Sequence, residues 1–139
     1  MRKLGLLICI GLLVMVMGTV VGCGSSGGGG STATPKEVTK QYMDASLNFD
    51  VDTAYDLLSS TDQQALTKED MQAEIENISL EGLDFSYVIG EETINGDEAS
   101  VDVTMTVTDT TTGESDEFTN TLQLVKENGE WKVYFGDSL

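Results

Sequence analysis

The chain has 139 residues, with 24 acidic side chains against 7 lysines and arginines, no histidine and two cysteines, and a formal charge of −17. Such an acid balance excludes nucleic acid as a partner, because phosphates need clustered lysine and arginine, and it excludes a flat dock onto anionic headgroups. The missing histidine removes Ser-His-Asp and Cys-His catalysis and the commonest zinc ligand.

Residues 1–22 read as an address rather than as fold. Arg2 and Lys3 supply a short basic start, and an apolar run from Leu4 to Val21 follows, broken by Gly5, Gly11, Gly18 and Thr19. That pattern is a secretory signal; an uncleaved membrane anchor is the rival, since the run approaches bilayer-spanning length. The junction Val20-Val21-Gly22-Cys23 resembles a bacterial lipobox. The resemblance implies that Cys23 receives diacylglycerol and palmitate, becomes the first mature residue, and holds the protein on the extracytoplasmic face of the cell membrane. Cys9 lies in the signal and leaves with it, so the mature chain has no free thiol and no disulfide. Its only cations are Lys36, Lys40, Lys68, Lys126 and Lys132, and these five against 24 acids leave −19. Residues 23–33 form a Gly/Ser tether after the cysteine, a flexible coil of about 20 Å.

A single domain is expected over residues 34–139. Thr34, Pro35 and Glu37 form a capping box with proline in the first turn. Val38, Tyr42, Ala45 and Phe49 then mark one helical face. Asp50 starts a second short helix carrying Val51, Ala54, Tyr55 and Leu58. Ser60 to Gln63 suggests another box-like start, for a turn or short helix through Leu66, and Thr67 to Asp70 a third start, with Met71, Ile75 and Ile78 facing inward.

After Leu80 the apolar period becomes two. Strands are expected at Leu83–Thr93, Glu98–Thr108, Glu114–Val125 and Glu130–Phe135, joined by turns at Asn95-Gly96, Thr112-Gly113 and Asn128-Gly129. A three-residue first loop with a bulge sets Ile89 opposite Val101, Tyr87 opposite Val103, Phe85 opposite Met105 and Leu83 opposite Val107. Even loops then place Met105 opposite Asn120, Val103 opposite Leu122, Leu124 opposite Val133 and Leu122 opposite Phe135. One face is thus apolar. The other carries Thr104, Thr106, Thr108, Thr119 and Thr121. The fold class is α+β: N-terminal helices on one face of a curved four-stranded antiparallel meander.

On "TPKEVTKQYMDASLNFDVDTAYDLLS" and "KENGEWKVYF" the segment from Thr34 to Leu139 resembles the nuclear transport factor 2-like superfamily, and within it small bacterial lipoprotein domains of unknown function. The resemblance implies a cone, with the sheet curled around the first helices. It implies that the outer, threonine-rich face is a candidate homodimer surface. Enzymes of the superfamily place Asp, Tyr or His inside the cone, and this chain has no histidine to match.

The chemistry on offer is sparse. Gly27 to Gly30 is tether rather than phosphate loop, with no strand before it. Asp50, Asp52 and Asp56 come nearest a calcium loop, without a bend glycine or closing glutamate. No catalytic residue, metal or cofactor is expected. Polar atoms on the inward face are Asn120, Tyr87 and Tyr42, candidate contacts for a small apolar ligand; each also reads as a core group whose polar end reaches the rim. Tyr55 and Trp131 read as core. The expected function is a lipid-anchored extracytoplasmic binding or accessory domain for a ligand or protein partner. Alternatives are a cone-fold isomerase or hydrolase at the cell surface and a structural spacer in an envelope complex.

Overall fold

The computed structural model describes residues 33–77 and 81–136. The signal segment, Cys23 and the tether before Ala33 lie outside the described residues. Four helices, α1 (Pro35–Leu47), α2 (Val51–Asp56), α3 (Ser60–Ala65) and α4 (Lys68–Asn77), precede four strands, β1 (Leu83–Asn95), β2 (Glu98–Asp109), β3 (Ser115–Glu127) and β4 (Glu130–Tyr134). The strands form one open antiparallel sheet in the order β1-β2-β3-β4. The architecture is the α+β arrangement expected, and the segment from Ser60, open between a turn and a short helix, forms the helix α3.

α1 starts as its sequence dictates. The Thr34 hydroxyl accepts from the Glu37 N–H, and the Glu37 carboxylate accepts from the Thr34 N–H at 2.7 Å. Val38, Thr39, Met43 and Ala45 are buried. Phe49 departs from the expected stripe. It takes φ 58° and is 47% exposed. The reason is a Schellman stop, in which the Asp50 N–H reaches the Ala45 carbonyl at 2.9 Å and the Phe49 N–H the Ser46 carbonyl at 3.3 Å. That reversal turns residue 49 out of the helical face, and Met43 fills the core instead. Asp50 caps α2 through the Thr53 N–H, as expected. α3 is capped one residue earlier than expected, by Ser59 rather than Ser60. The inward stripe expected through Ile75 and Ile78 falls on side chains outside the described set.

The sheet keeps the expected inner and outer faces but shifts two registers. β1 and β2 meet in a two-residue turn, Gly96-Asp97, with Asn95 opposite Glu98. The extra residue that parity requires sits instead between Ile89 and Glu92. Ile89 therefore pairs with Val103, Tyr87 with Met105, Phe85 with Val107 and Leu83 with Asp109. Gly90 makes this bulge affordable, since a Cβ there would stand 3.1 Å from the Asp102 Cβ. Between β2 and β3, Met105 pairs with Phe118 rather than Asn120, and Val103 with Asn120 rather than Leu122. The cause is Asp109. Its carboxylate accepts from the Thr111 and Thr112 N–H groups, and its own N–H bonds the Glu114 carbonyl at 2.8 Å. The loop is even, as expected, but four residues long, from Thr110 to Gly113. The β3–β4 turn at Asn128-Gly129 holds the expected register, with Leu124 opposite Val133.

The core lies between α1, the end of α2 and the inner face. Val38, Leu58, Ala99, Val101, Leu124, Trp131 and Val133 form one buried cluster. Leu58 also joins the sheet: the segment Leu57–Ser59 runs parallel to β4, with the Ser59 N–H on the Val133 carbonyl at 2.7 Å and the Val133 N–H on the Leu57 carbonyl at 2.8 Å. The β4 edge is thereby covered by the chain itself. Leu58 is 2% exposed. We expect Leu58→Ala to cost about 2–5 kcal/mol, read as a lower urea midpoint, because it opens a cavity beneath that edge.

Candidate functional site

The sequence nominates Tyr42, Tyr87 and Asn120, and the structure does not gather them at one point. Tyr87, half-buried on β1, donates its hydroxyl to Asp44 on α1 at 2.5 Å. The Lys40 ammonium holds the other oxygen of the same carboxylate. Tyr42 sits two residues before Asp44, so it leaves α1 on nearly the opposite side. Its ring packs on Phe135 with centroids 5.9 Å apart. Asn120 lies on β3 opposite Val103, one row along the inner face from the Tyr87–Met105–Phe118 row.

Local charge tells what these groups can do. Burial, then the bond to Asp44 and its charge, push Tyr87 up to about 12. The Lys40 ammonium first, and the Tyr87 hydroxyl second, hold Asp44 below the ordinary carboxylate range. A tyrosine moved up and an aspartate moved down both recede from neutral pH, where a proton-transfer couple must operate. The pair therefore clamps α1 to β1. Burial also raises Tyr42, the Ser46 hydroxyl opposes that shift, and the charge of Asp62 adds to it.

The residue that sequence reasoning missed is Asp62. It is fully buried at 0% exposure. Its Oδ1 accepts from the Gly136 N–H at 3.0 Å. Its Oδ2 accepts from the Phe135 N–H at 2.9 Å and the Ser59 hydroxyl at 2.8 Å. The Ser59 hydroxyl in turn accepts from the Asp62 N–H at 3.2 Å. The signal is in the sequence: Ser59-x-x-Asp62 follows the apolar pair Leu57-Leu58, one residue before the start suggested at Ser60. What the sequence could not show is the partner 73 residues away.

Two other carboxylates repeat the device. Glu92, turned inward by the β1 bulge, accepts from the Lys36 N–H in the first turn of α1 at 2.9 Å. Glu127 on β3 accepts from the Ser60 N–H and hydroxyl at the start of α3. Neither needs a cation, because the helix N-terminus supplies unpaired N–H groups and a favourable dipole.

Asp50 caps α2, and Asp52 pairs with Lys68 at 2.7 Å. Among the described residues no group of His, Cys, Asp or Glu is arranged to hold a metal. Two shallow depressions, both open to solvent, mark the helical surface. One is lined by Gln41, Asp44, Ala45, Asn48, Asp50 and Thr53, the other by Lys68, Glu69, Gln72 and Ala73. Among the described residues the buried Thr39 hydroxyl has no hydrogen-bond partner. On the outer face Thr104 and Thr119 share a hydrogen bond of 2.9 Å, and Thr121 donates to Asp102 at 2.7 Å.

Two outcomes test this reading. Asp62→Asn leaves one acceptor oxygen and an NH2 facing two backbone donors, so we expect a loss of about 2–3 kcal/mol in urea unfolding. For pH, Asp44, Asp50 and Asp109 all sit below their ordinary 3.8, through Lys40, the Thr53 hydroxyl and the Thr111 N–H respectively. A lowered folded value means the stabilisation is present above the unfolded value and disappears as pH falls through the folded ones. Tyr87 acts in the opposite window. Its unfolded value is 10.0 and its folded value about 12, so stability holds below pH 10 and is lost as pH climbs between the two. Urea midpoints across pH should be level between these flanks, and phenolate absorbance should show a tyrosine titrating late.

Comparison with curated proteins found no match. Solved structures are similar in fold. A SEC-C motif containing protein from Rhodopseudomonas palustris aligns at TM-score 0.57 and 15% identity, covering 76% of this chain and 78% of its own. A putative calcium/calmodulin-dependent protein kinase type II association domain from Thiobacillus denitrificans aligns at 0.59 and 11%, covering 76% and 93%. A ketosteroid isomerase-like protein from Erwinia carotovora atroseptica aligns at 0.48 and 19%, covering 69% and 85%. A family model described as an NTF2-like N-terminal transpeptidase domain matches residues 34–139. With the helices, the meander and that match together, the chain belongs to the NTF2-like N-terminal transpeptidase domain family.

Proposed function

We propose that this chain is a lipid-anchored extracytoplasmic accessory domain, which binds a partner and performs no turnover of its own. The observation that carries the reading is the commitment of its polar interior. Asp62 is filled by two backbone N–H groups and a hydroxyl, and Tyr87 is spent on Asp44. Groups so engaged position chain segments; they do not leave an acid and a base facing open space. The family name supports the same reading, since it describes a domain at the N-terminus of transpeptidases. A domain of that kind, held near a membrane, acts by placement. No hydrogen bond from a described side chain engages the inward amide of Asn120, so it remains our candidate contact should a small ligand enter beside Val103.

The anchor rests on Val20-Val21-Gly22-Cys23 and the glycine-serine run behind it. Between them they supply an attachment point and about 20 Å of slack. The test is to produce the full chain in a bacterial host, separate membranes, and take the intact mass. The expected species begins at Cys23 and carries diacylglycerol and acyl chains, while Cys23→Ala gives an unprocessed precursor or a released form. A mature chain with an unmodified thiol, free of the membrane, would contradict the anchor.

A further inference from the structure

The asparagine–glycine pairs that mark two hairpin tips are not absorbed by the proposed function. Asn95-Gly96 and Asn128-Gly129 are exposed at all four residues. Their settings differ. Asn95 belongs to the ladder, opposite Glu98. Asn128 lies outside it, because Glu127 and Glu130 form the last pair and Gly129 follows at the tip. Asn128 has φ 51° and Gly129 φ 88°, and nothing lies within 4 Å of a Cβ built on Gly129. Asn48 offers the contrast: its amide donates to the Asp44 carbonyl at 2.7 Å, and Phe49 follows it. Asn120 is held within β3 and is followed by Thr121.

From this contrast we propose that Asn128-Gly129 is a site of spontaneous deamidation through a succinimide in the folded protein, with Asn95-Gly96 slower. The Gly129 amide nitrogen attacks the Asn128 Cγ. A bond forms between that nitrogen and Cγ, the Cγ–Nδ2 bond breaks, and the amide proton leaves with the nitrogen as ammonia. Water then opens the ring. Opening at Cγ gives aspartate, and opening at the backbone carbonyl gives isoaspartate. Glycine is the permissive neighbour because it has no side chain to obstruct the approach and turns freely.

The consequence follows from where the turn sits. β4 has only five residues and carries buried Trp131 and Val133. Isoaspartate adds a methylene to the backbone of a two-residue turn, which strains the pairing of Leu124 with Val133 and, beyond it, the seat of Phe135 and Gly136 on Asp62. Either product adds a negative charge beside Glu127 and Glu130. The tip is thus the point at which a long-lived copy of the protein ages.

The test holds the full chain in detergent at mildly alkaline pH and follows each asparagine by peptide mass spectrometry. Asn128 is expected to react fastest, about tenfold or more ahead of Asn48 and Asn120, a difference of roughly 1.4 kcal/mol in barrier. Aged protein should also show a lower urea midpoint than Asn128→Asp, which reproduces the charge without the added methylene. Asn128 remaining intact while a denatured sample is modified would overturn the proposal, as would equal rates at Asn48 and Asn120. An aged midpoint equal to that of Asn128→Asp would overturn the isoaspartate consequence.

Discussion

The carboxylate of Asp62 is the point on which the domain turns. It is buried, it carries two oxygens, and it uses both on chain segments far apart in sequence. Ser59 fixes it from its own helix, and the Phe135 and Gly136 N–H groups receive it at the far end of β4. Beside it, Leu57–Ser59 lies along β4 and closes the sheet edge. The short closing strand, already paired with β3, is therefore also gripped along its side and at its exit. Leu58 and Val133 bury the apolar half of the same joint. A charge removed from water is costly unless its hydrogen bonds are replaced, and here three donors replace them.

The same principle explains how a chain with so few cations tolerates so many acids. Its carboxylates take backbone N–H groups as counterparts. Glu37, Asp50, Asp109, Glu92 and Glu127 each accept from at least one. Some of these contacts are local caps, which any short stretch of sequence can encode. Glu92 and Glu127 reach across the fold, from sheet to helix N-terminus, and so tie the two layers together. The lysines play a smaller part: Lys40 and Lys68 sit in exposed pairs, which contribute little in water, and half-buried Lys132 pairs loosely with Glu130.

What was legible in the sequence follows from this distinction. The capping box at Thr34, the Asp50 cap, the four strands, their two faces and the Asn128-Gly129 register are all set by neighbours within a few residues. Registers moved by two where a side chain in the turn chose the loop, as Asp109 did, or where a glycine let the bulge settle inside a strand, as Gly90 did. Period-two patterning fixes which face a residue takes, and a shift of two leaves every face unchanged. Phe49 left its helical stripe because the stop that ends α1 reverses the backbone. The candidate contacts fared according to reach. Patterning puts Tyr87 and Tyr42 on the inside, but Asp44 and Phe135 as their partners are tertiary facts, and Asp62 is hidden by both its frame and its distance.

The function proposed for this domain is placement rather than reaction. This acidic domain of the NTF2-like N-terminal transpeptidase family uses the buried carboxylate of Asp62 and the Tyr87 hydroxyl to hold its own chain together. The direct measurement is native-state hydrogen exchange at the Phe135 and Gly136 amides. If Asp62 seats the end of β4, both exchange as slowly as the Val133 and Leu124 amides and open only with the whole domain. If instead they exchange as fast as the amides of the exposed loop after Asp109, the carboxylate is not the joint on which the fold depends.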